Sequence, residues 1–390
     1  MRSSRPSALR SNLLIYGVTG YVGGLVSRLA ATAGLPHLAA GRDLEQVMAH
    51  ADPLMLPART FSLSDPAKVG RALGDVAVVL NAAGPFAETA PPLAEACLRA
   101  GAHYLDLADE VAELEALRRL DARAREAGIM LLPGVGLGVL PTDALAARLK
   151  RRLPSAVRLR LAVEAVGGMS RGSLRTLFRD LRRDTGVKRR GGELVPARAG
   201  EERLVLDLGG GRRVAVTDPW RGDLASAWWS SVYPEIDVYA VHPAWLRLLR
   251  SPRSPRSLRW PPWPSSPSSA RWLPRWALAS PVRALLASRA GRALVRRAIA
   301  LRPAGPAEAE LAAGLTRIWA QAEDAAGHRV TARLRGPERH LFTARTALWA
   351  AQRVLGGRLR VGFQTPATAY GPDLVDRLIE EIEGVSVTWG

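Results

Sequence analysis

Apolar residues run along this chain in two different rhythms. Over the first third they come in short continuous blocks separated by helical patterns. Asn12–Gly17 reads as a buried strand, Tyr21–Ala33 as a helix, and Leu38–Ala40 as a second strand ended by Gly41-Arg42-Asp43. Val76–Leu80 is an unbroken apolar run, the pattern of a strand covered on both faces. Pro91–Ala100 is helical with Gly101 at its stop, and His103–Leu107 is a strand. Val111–Ala127 is a helix ended by Gly128, and Ile129–Leu132 is a further strand. Strands alternating with helices in this way predict a doubly wound parallel sheet.

Farther on the rhythm changes. Val157–Glu164, Arg203–Leu208, Arg212–Thr217, Leu315–Glu323 and Arg329–Arg335 alternate apolar and polar residues, the period of strands with one wet face. Asp324-Ala325-Ala326-Gly327 between the last two is a hairpin loop. Ser173–Arg183, Leu341–Leu355 and Pro372–Ile382 are helical. The expected organisation is therefore a nucleotide-binding domain over 1–140 and an α+β substrate or dimerisation domain over 141–359, built on a mixed or antiparallel sheet. Residues 360–390 are expected to pack back onto the first domain.

The turn after the first strand gives the first domain its chemistry. IYGVTGYVGG sets Gly17, Gly20 and Gly23 at G-x-x-G-x-x-G spacing between a strand and a helix. A tight turn, a close backbone approach to a diphosphate and a close helix–strand contact each need a glycine, and the helix start offers free amides. This predicts an α/β, Rossmann-type sheet that binds a dinucleotide. At the tip of the second strand, Arg42 stands where a 2′-phosphate would be met, which favours NADP; Asp43 beside it leaves NAD open. The small residues of Asn81-Ala82-Ala83-Gly84-Pro85-Phe86 let the backbone pass close to the nicotinamide half. Asp65, ahead of Pro66, reads as a helix cap.

Charge sharpens the picture in one place. The chain of 390 residues has 55 Lys+Arg against 36 Asp+Glu, a net charge of +19. From Trp245 to Ala307 there is no acidic residue, while thirteen arginines and Trp245, Trp260, Trp263, Trp272 and Trp276 occur by residue 302. The basic, Trp/Pro-rich insert over 245–305 suits an anionic membrane surface or the mouth of a site for a lipid-like substrate, or a packed insert with a solvated arginine face. Nucleic acid ranks below these, since no nucleic-acid motif accompanies the charge. The single cysteine, Cys97, excludes an intrachain disulfide and a Cys-based metal site, and six scattered histidines give no metal cluster. A reducing cytoplasm is the expected location, with peripheral membrane attachment open.

For a proton donor or substrate anchor the candidates are Tyr104, Asp143 and Arg171. Tyr104 could donate a proton, Arg171 could bind a carboxylate or polarise a carbonyl, and Asp143 could orient either. Tyr104 also suits the core, and Asp143 suits a helix start. Ser170 or Ser173 could cap the helix that follows Gly167-Gly168-Met169. No Ser-His-Asp order or paired-carboxylate spacing stands out.

The blocks YGVTGYVGGLV, LAAGRD, NAAGPF, GAHYLDLADE, PGVGLGVLPTD, GGMSRGSLRTL, YPEIDVY and GFQTPATAYG resemble the saccharopine dehydrogenase-like family in its short form, which includes trans-acting enoyl reductases. The resemblance implies NAD(P)-linked reduction of a small or lipid-like enoyl, keto or imine substrate, and leaves a homodimer open. It also implies that Gly17, Thr19, Gly20, Tyr21, Val22 and Gly23 line the diphosphate, that Arg42 meets the ribose phosphate, and that Ala83, Gly84 and Pro85 border the nicotinamide. One departure stands out: relatives commonly have an Asp in the block where this chain has Leu137-Gly138. That change keeps open a non-catalytic, cofactor-sensing or membrane-associated protein on the same fold.

Overall fold

The computed structural model of the chain describes residues 12–180, 183, 185–241 and 288–390. Its first part alternates strands and helices: β1 (Asn12–Tyr16), α1 (Tyr21–Thr32), β2 (His37–Gly41), α2 (Leu44–Ala51), β3 (Ala58–Thr60), α3 (Pro66–Ala72), β4 (Val76–Asn81), α4 (Phe86–Ala100), β5 (His103–Asp106), α5 (Val111–Arg118), α6 (Asp121–Glu126) and β6 (Met130–Leu132). Then come α7 (Leu140–Arg152), β7 (Ala156–Val166), α8 (Arg171–Asp180), β8 (Thr185–Arg190), β9 (Glu193–Arg198), β10 (Arg203–Asp207), β11 (Arg212–Thr217), α9 (Asp223–Ser231) and β12 (Glu235–Val241). After residue 288 follow α10 (Arg289–Ala300), α11 (Glu308–Ala313), β13 (Leu315–Asp324), β14 (Arg329–Pro337), α12 (Arg339–Leu355), β15 (Gly362–Phe363), α13 (Pro366–Tyr370), α14 (Leu374–Glu381) and β16 (Ser386–Trp389).

The first sheet has the order β3-β2-β1-β4-β5-β6-β15 and is parallel throughout. Helices cover both faces, so each strand buries both sets of its side chains: Leu13 and Ile15 join one core, Leu14 and Tyr16 the other. The strand order reverses between β1 and β4, and a doubly wound sheet binds its ligand in the crevice beyond the carboxyl ends at that point.

The second sheet runs β10-β11-β12-β7-β13-β14-β16, with β8 joined to β12 and to β9. Only β7 and β12 are parallel among its described pairs. The hairpin at Asp324–Gly327 joins β13 to β14. Periodicity did not bring out β8, β9 or β12. The expected helix Val111–Ala127 is two helices, interrupted at Arg119–Leu120; at the start of the second, Asp121 Oδ1 accepts from Phe363 N at 2.7 Å and so anchors β15. The C-terminal segment is shared between the sheets. Gly362–Phe363 completes the first, and Ser386–Trp389 pairs with β14 in the second.

Of the basic insert, residues 245–287 lie outside the described residues. Its end forms α10, which buries Gly291 and Ile299 and sets Val295 against Leu177 of α8. Leu294 and Leu301 remain exposed on it, beside Arg296 and Arg297. No helix among the described residues is long and apolar enough to cross a membrane.

Candidate functional site

The glycine turn forms an open cradle at the carboxyl end of β1. Gly17 has φ +96°, and a Cβ on it would lie 2.8 Å from Ala83 N. A Cβ on Gly23 would lie 2.2 Å from Gly17 O, so α1 can sit this close to the turn only with glycine there. Gly20 is the N-cap of α1, and it supplies no side-chain acceptor. The first amides of α1 therefore remain available to an anion, with the positive end of the helix behind them. Thr19 and Gly20 are exposed, and Tyr21 and Val22 half-buried.

Arg42 and Asp43 follow β2 and are exposed. Asp43 is used locally: it caps α2 by accepting from Gln46 N at 3.0 Å and from Gln46 Nε2 at 3.2 Å. Asp65 caps α3 in the same way through Lys68 N. That leaves Arg42 as the side chain at this tip suited to a ribose phosphate.

Under the cradle a buried polar network fixes the turns after β4 and β5. Asn81 Oδ1 accepts from Ala83 N, and its Nδ2 donates to Tyr104 Oη at 3.1 Å. Tyr104 Oη donates to Asp106 Oδ2 at 2.9 Å, and Asp106 Oδ1 accepts from the amides of Ala108 and Gly134. Burial pushes the Asp106 carboxyl up to about 6 and the Tyr104 hydroxyl well above its usual range. Exposed Gly84 and Pro85 and half-buried Ala83 sit on this platform.

Beyond the platform, the loop after β5 is stitched to the second domain. Gly222 N donates to Asp109 O at 2.6 Å, and Val111 N to Trp220 O at 2.8 Å. Arg221 donates to Gly138 O and to Asp223 Oδ2, and lies 3.8 Å from Asp109 Oδ2. Glu110 receives Arg179 and Arg183. Glu113 accepts from Ala87 N and Glu110 N; burial first, then Asp109 and Asp106, push its carboxyl up to about 8. Facing Arg221 and Asp109 is Arg339, whose Nη2 donates to Ala165 O while its buried Nε has no hydrogen-bond partner. A buried guanidinium N–H without an acceptor is costly.

The three catalytic candidates have separate partners. Tyr104 is fully buried in the platform. Asp143 is buried inside α7, where it accepts from Ser230 Oγ at 2.6 Å and Ala367 N at 2.7 Å, tying α7 to α9 and α13. Burial pushes it up to about 6. Arg171 opens α8 and donates through Nε to Arg302 O at 2.6 Å, and through its amide to Ala304 O. Sequence reasoning did not single out Arg221, Arg339, Glu338 or His340. None lies in a motif; they converge only when the two sheets meet.

Gly138 has a local cause. A Cβ there would lie 2.3 Å from Asp109 Cβ and 3.2 Å from Asp109 Oδ2. The carboxylate beside this position comes from Asp109 instead.

Residues 13–132 match the saccharopine dehydrogenase NADP binding domain. Over 140 residues the chain is 29% identical to a Mycobacterium tuberculosis protein that carries the name trans-acting enoyl reductase, covering 34% of this chain and 33% of the relative. Over 152 residues it is 25% identical to the human saccharopine dehydrogenase-like oxidoreductase, covering 34% and 35%. The chain thus spans about a third of the length of these relatives. Among solved structures, saccharopine dehydrogenase (L-Glu forming) of Saccharomyces cerevisiae aligns over 97% of this chain and 99% of its own, with a TM-score of 0.62 and 15% identity, so the two share a fold.

Proposed function

From a chain whose residues 13–132 form a saccharopine dehydrogenase NADP-binding domain, we propose an NADP-dependent oxidoreductase that works in the cleft between the two sheets. The observation that carries this reading is the glycine cradle at the start of α1, where Gly17 and Gly23 leave no room for a Cβ and Gly20 caps the helix without a side chain. Gly17–Gly23 would hold the diphosphate, Arg42 the 2′-phosphate, and Ala83–Pro85 the nicotinamide half. Bound there, the cofactor supplies the hydride chemistry.

The chain's own residues orient and enclose. Arg339 offers its free N–H to an acceptor oxygen of a small substrate, and Arg221 places a second positive charge beside it. The stitched loops Asp109–Val111 and Trp220–Gly222 keep water from one side. Glu113, with its carboxyl near 8, keeps a proton at neutral pH next to the first turn of α4. In this reading Tyr104 and Asp143 support the framework, and Arg171 holds residues 302–304 against α8. The exposed Leu294 and Leu301 among arginines on and beside α10 favour attachment to an anionic membrane and a lipid-like substrate. Flotation with anionic liposomes checks that part, and protein left wholly unbound overturns it.

The central test is a fluorescence titration with NADPH and NADH. NADPH should bind at least about tenfold tighter, and Arg42→Ala should erase the difference. Equal affinities in the wild type overturn the NADP assignment. Loss of NADPH absorbance with a panel of enones, imines and oxo acids then separates an enzyme from a sensor that binds without turnover.

A further inference from the structure

We propose that Ser173, His340 and Glu338 form a second catalytic site, a serine nucleophile for the cleavage of small acyl esters. The sequence gives no hint of it, since the three lie in the order Ser, Glu, His on two helix starts far apart. The fold brings α8 and α12 together. His340 is 3% exposed and Glu338 fully buried. Glu338 Oε1 accepts from His340 Nδ1 at 2.8 Å, while Oε2 accepts from the amides of His340 and Leu341.

The Glu338 carboxylate sets the tautomer of His340. With Nδ1 donating to Glu338, His340 presents the lone pair of Nε2, which lies 3.2 Å from Ser173 Oγ. Ser170 Oγ accepts from Ser173 N at 3.1 Å and lies 3.0 Å from Ser173 Oγ. With Ser170 donating to Ser173, the Ser173 hydrogen turns to His340. The edge of Tyr21 meets the His340 ring at a centroid distance of 5.2 Å and holds it in place. Nucleophile, base and orienting carboxylate thus stand in the relation that activates a serine.

The side of the site toward Gly172 is exposed. A Cβ on exposed Gly172 would meet only Ser170 Oγ, at 3.7 Å. Of the first-turn amides of α8, Arg171 N donates to Ala304 O and Ser173 N to Ser170 Oγ, so Gly172 N is the one that would serve an oxyanion formed there. In the first step Ser173 Oγ bonds to the ester carbonyl carbon and its proton passes to His340 Nε2. The bond from carbon to the leaving oxygen then breaks, and His340 returns the proton to that oxygen. Water repeats the sequence on the acyl-serine: His340 takes the water proton, the acid leaves, and Ser173 regains its hydrogen.

The full-length chain, without nicotinamide, is mixed with p-nitrophenyl acetate or with a fluorophosphonate, and the labelled peptide is identified by mass spectrometry. The expected result is a burst of about one nitrophenolate per chain and a label on Ser173. Ser173→Ala should abolish both, and His340→Gln should slow labelling at least about a hundredfold, with thermal melts confirming folding. A folded wild type that takes no label at Ser173, or labelling that is equally fast in folded His340→Gln, overturns the proposal. The wild-type result decides the question even where a variant fails to fold, and it is independent of the oxidoreductase reading.

Discussion

In the first sheet Leu13, Leu14, Ile15, Val78, Val79 and Leu80 are fully buried, and each strand is specified by its own few residues. In the second, Arg213 and Arg317 converge on Glu164, Arg190 on Glu235 and Asp237, and Arg160 and Arg329 on Glu323. Glu164 is 49 residues from one of its arginines and 153 from the other. The parallel sheet is a local code of apolar runs and one glycine turn. The mixed sheet is a code of distant pairs, so its partners emerge only with the fold. The cofactor cradle belongs to the first kind, and Arg221, Arg339 and His340 to the second.

The sharpest way to break this contrast is Gly23→Ala. Its Cβ has backbone at 2.2 Å, so we expect a loss of about 3 kcal/mol in denaturant unfolding, together with loss of NADPH binding. A well-folded variant with wild-type affinity would show that the turn is not locally fixed. Next comes Gly138→Asp, where the collision with Asp109 should cost roughly 2 kcal/mol. The double variant with Asp109→Gly should recover most of that, because the two positions compete for one space. Equal destabilisation of the single and double variants would show that Gly138 and Asp109 do not compete for that space.

In the second sheet, Glu164→Gln leaves Arg213 and Arg317 without their shared carboxylate. The expected cost is about 1.5 kcal/mol, moderated because Arg213 is partly exposed. The smallest effect should be that of Glu113→Gln. The Glu113 carboxyl near 8 lies above its unfolded value, so its contribution is complete in acid and is lost as pH rises toward 8. The wild type should therefore lose more stability than the variant between pH 5 and pH 9, as read from urea midpoints. Parallel pH profiles would show that Glu113 keeps its charge in the fold.

The same contrast governs how much could be read in advance. β1, β2, β4, β5 and β6 and the glycine turn followed from short apolar runs and spacing, and the alternating strands β7, β10, β11, β13 and β14 from their period. The break between α5 and α6 did not, and neither did the bond beside it that joins Asp121 to Phe363, 242 residues away. β12 was hidden for a related reason: as a central strand beside parallel β7 it buries both faces and loses its alternation. Asp143 reads as a helix start, yet its carboxylate serves Ser230 and Ala367. The glycine spacing was visible as a pattern, whereas the Ser173–His340 contact exists only once α8 and α12 have docked.

Gly362–Phe363 is two residues long, yet it is the strand that covers the β6 edge of the first sheet. During synthesis the cofactor domain emerges with that edge bare, and 229 residues separate Leu132 from the strand that pairs beside it. The nascent domain must wait for nearly the whole chain before its last backbone donors and acceptors are paired. A protein cut short before residue 362 would retain every glycine of its cradle and still expose a strand edge to its neighbours.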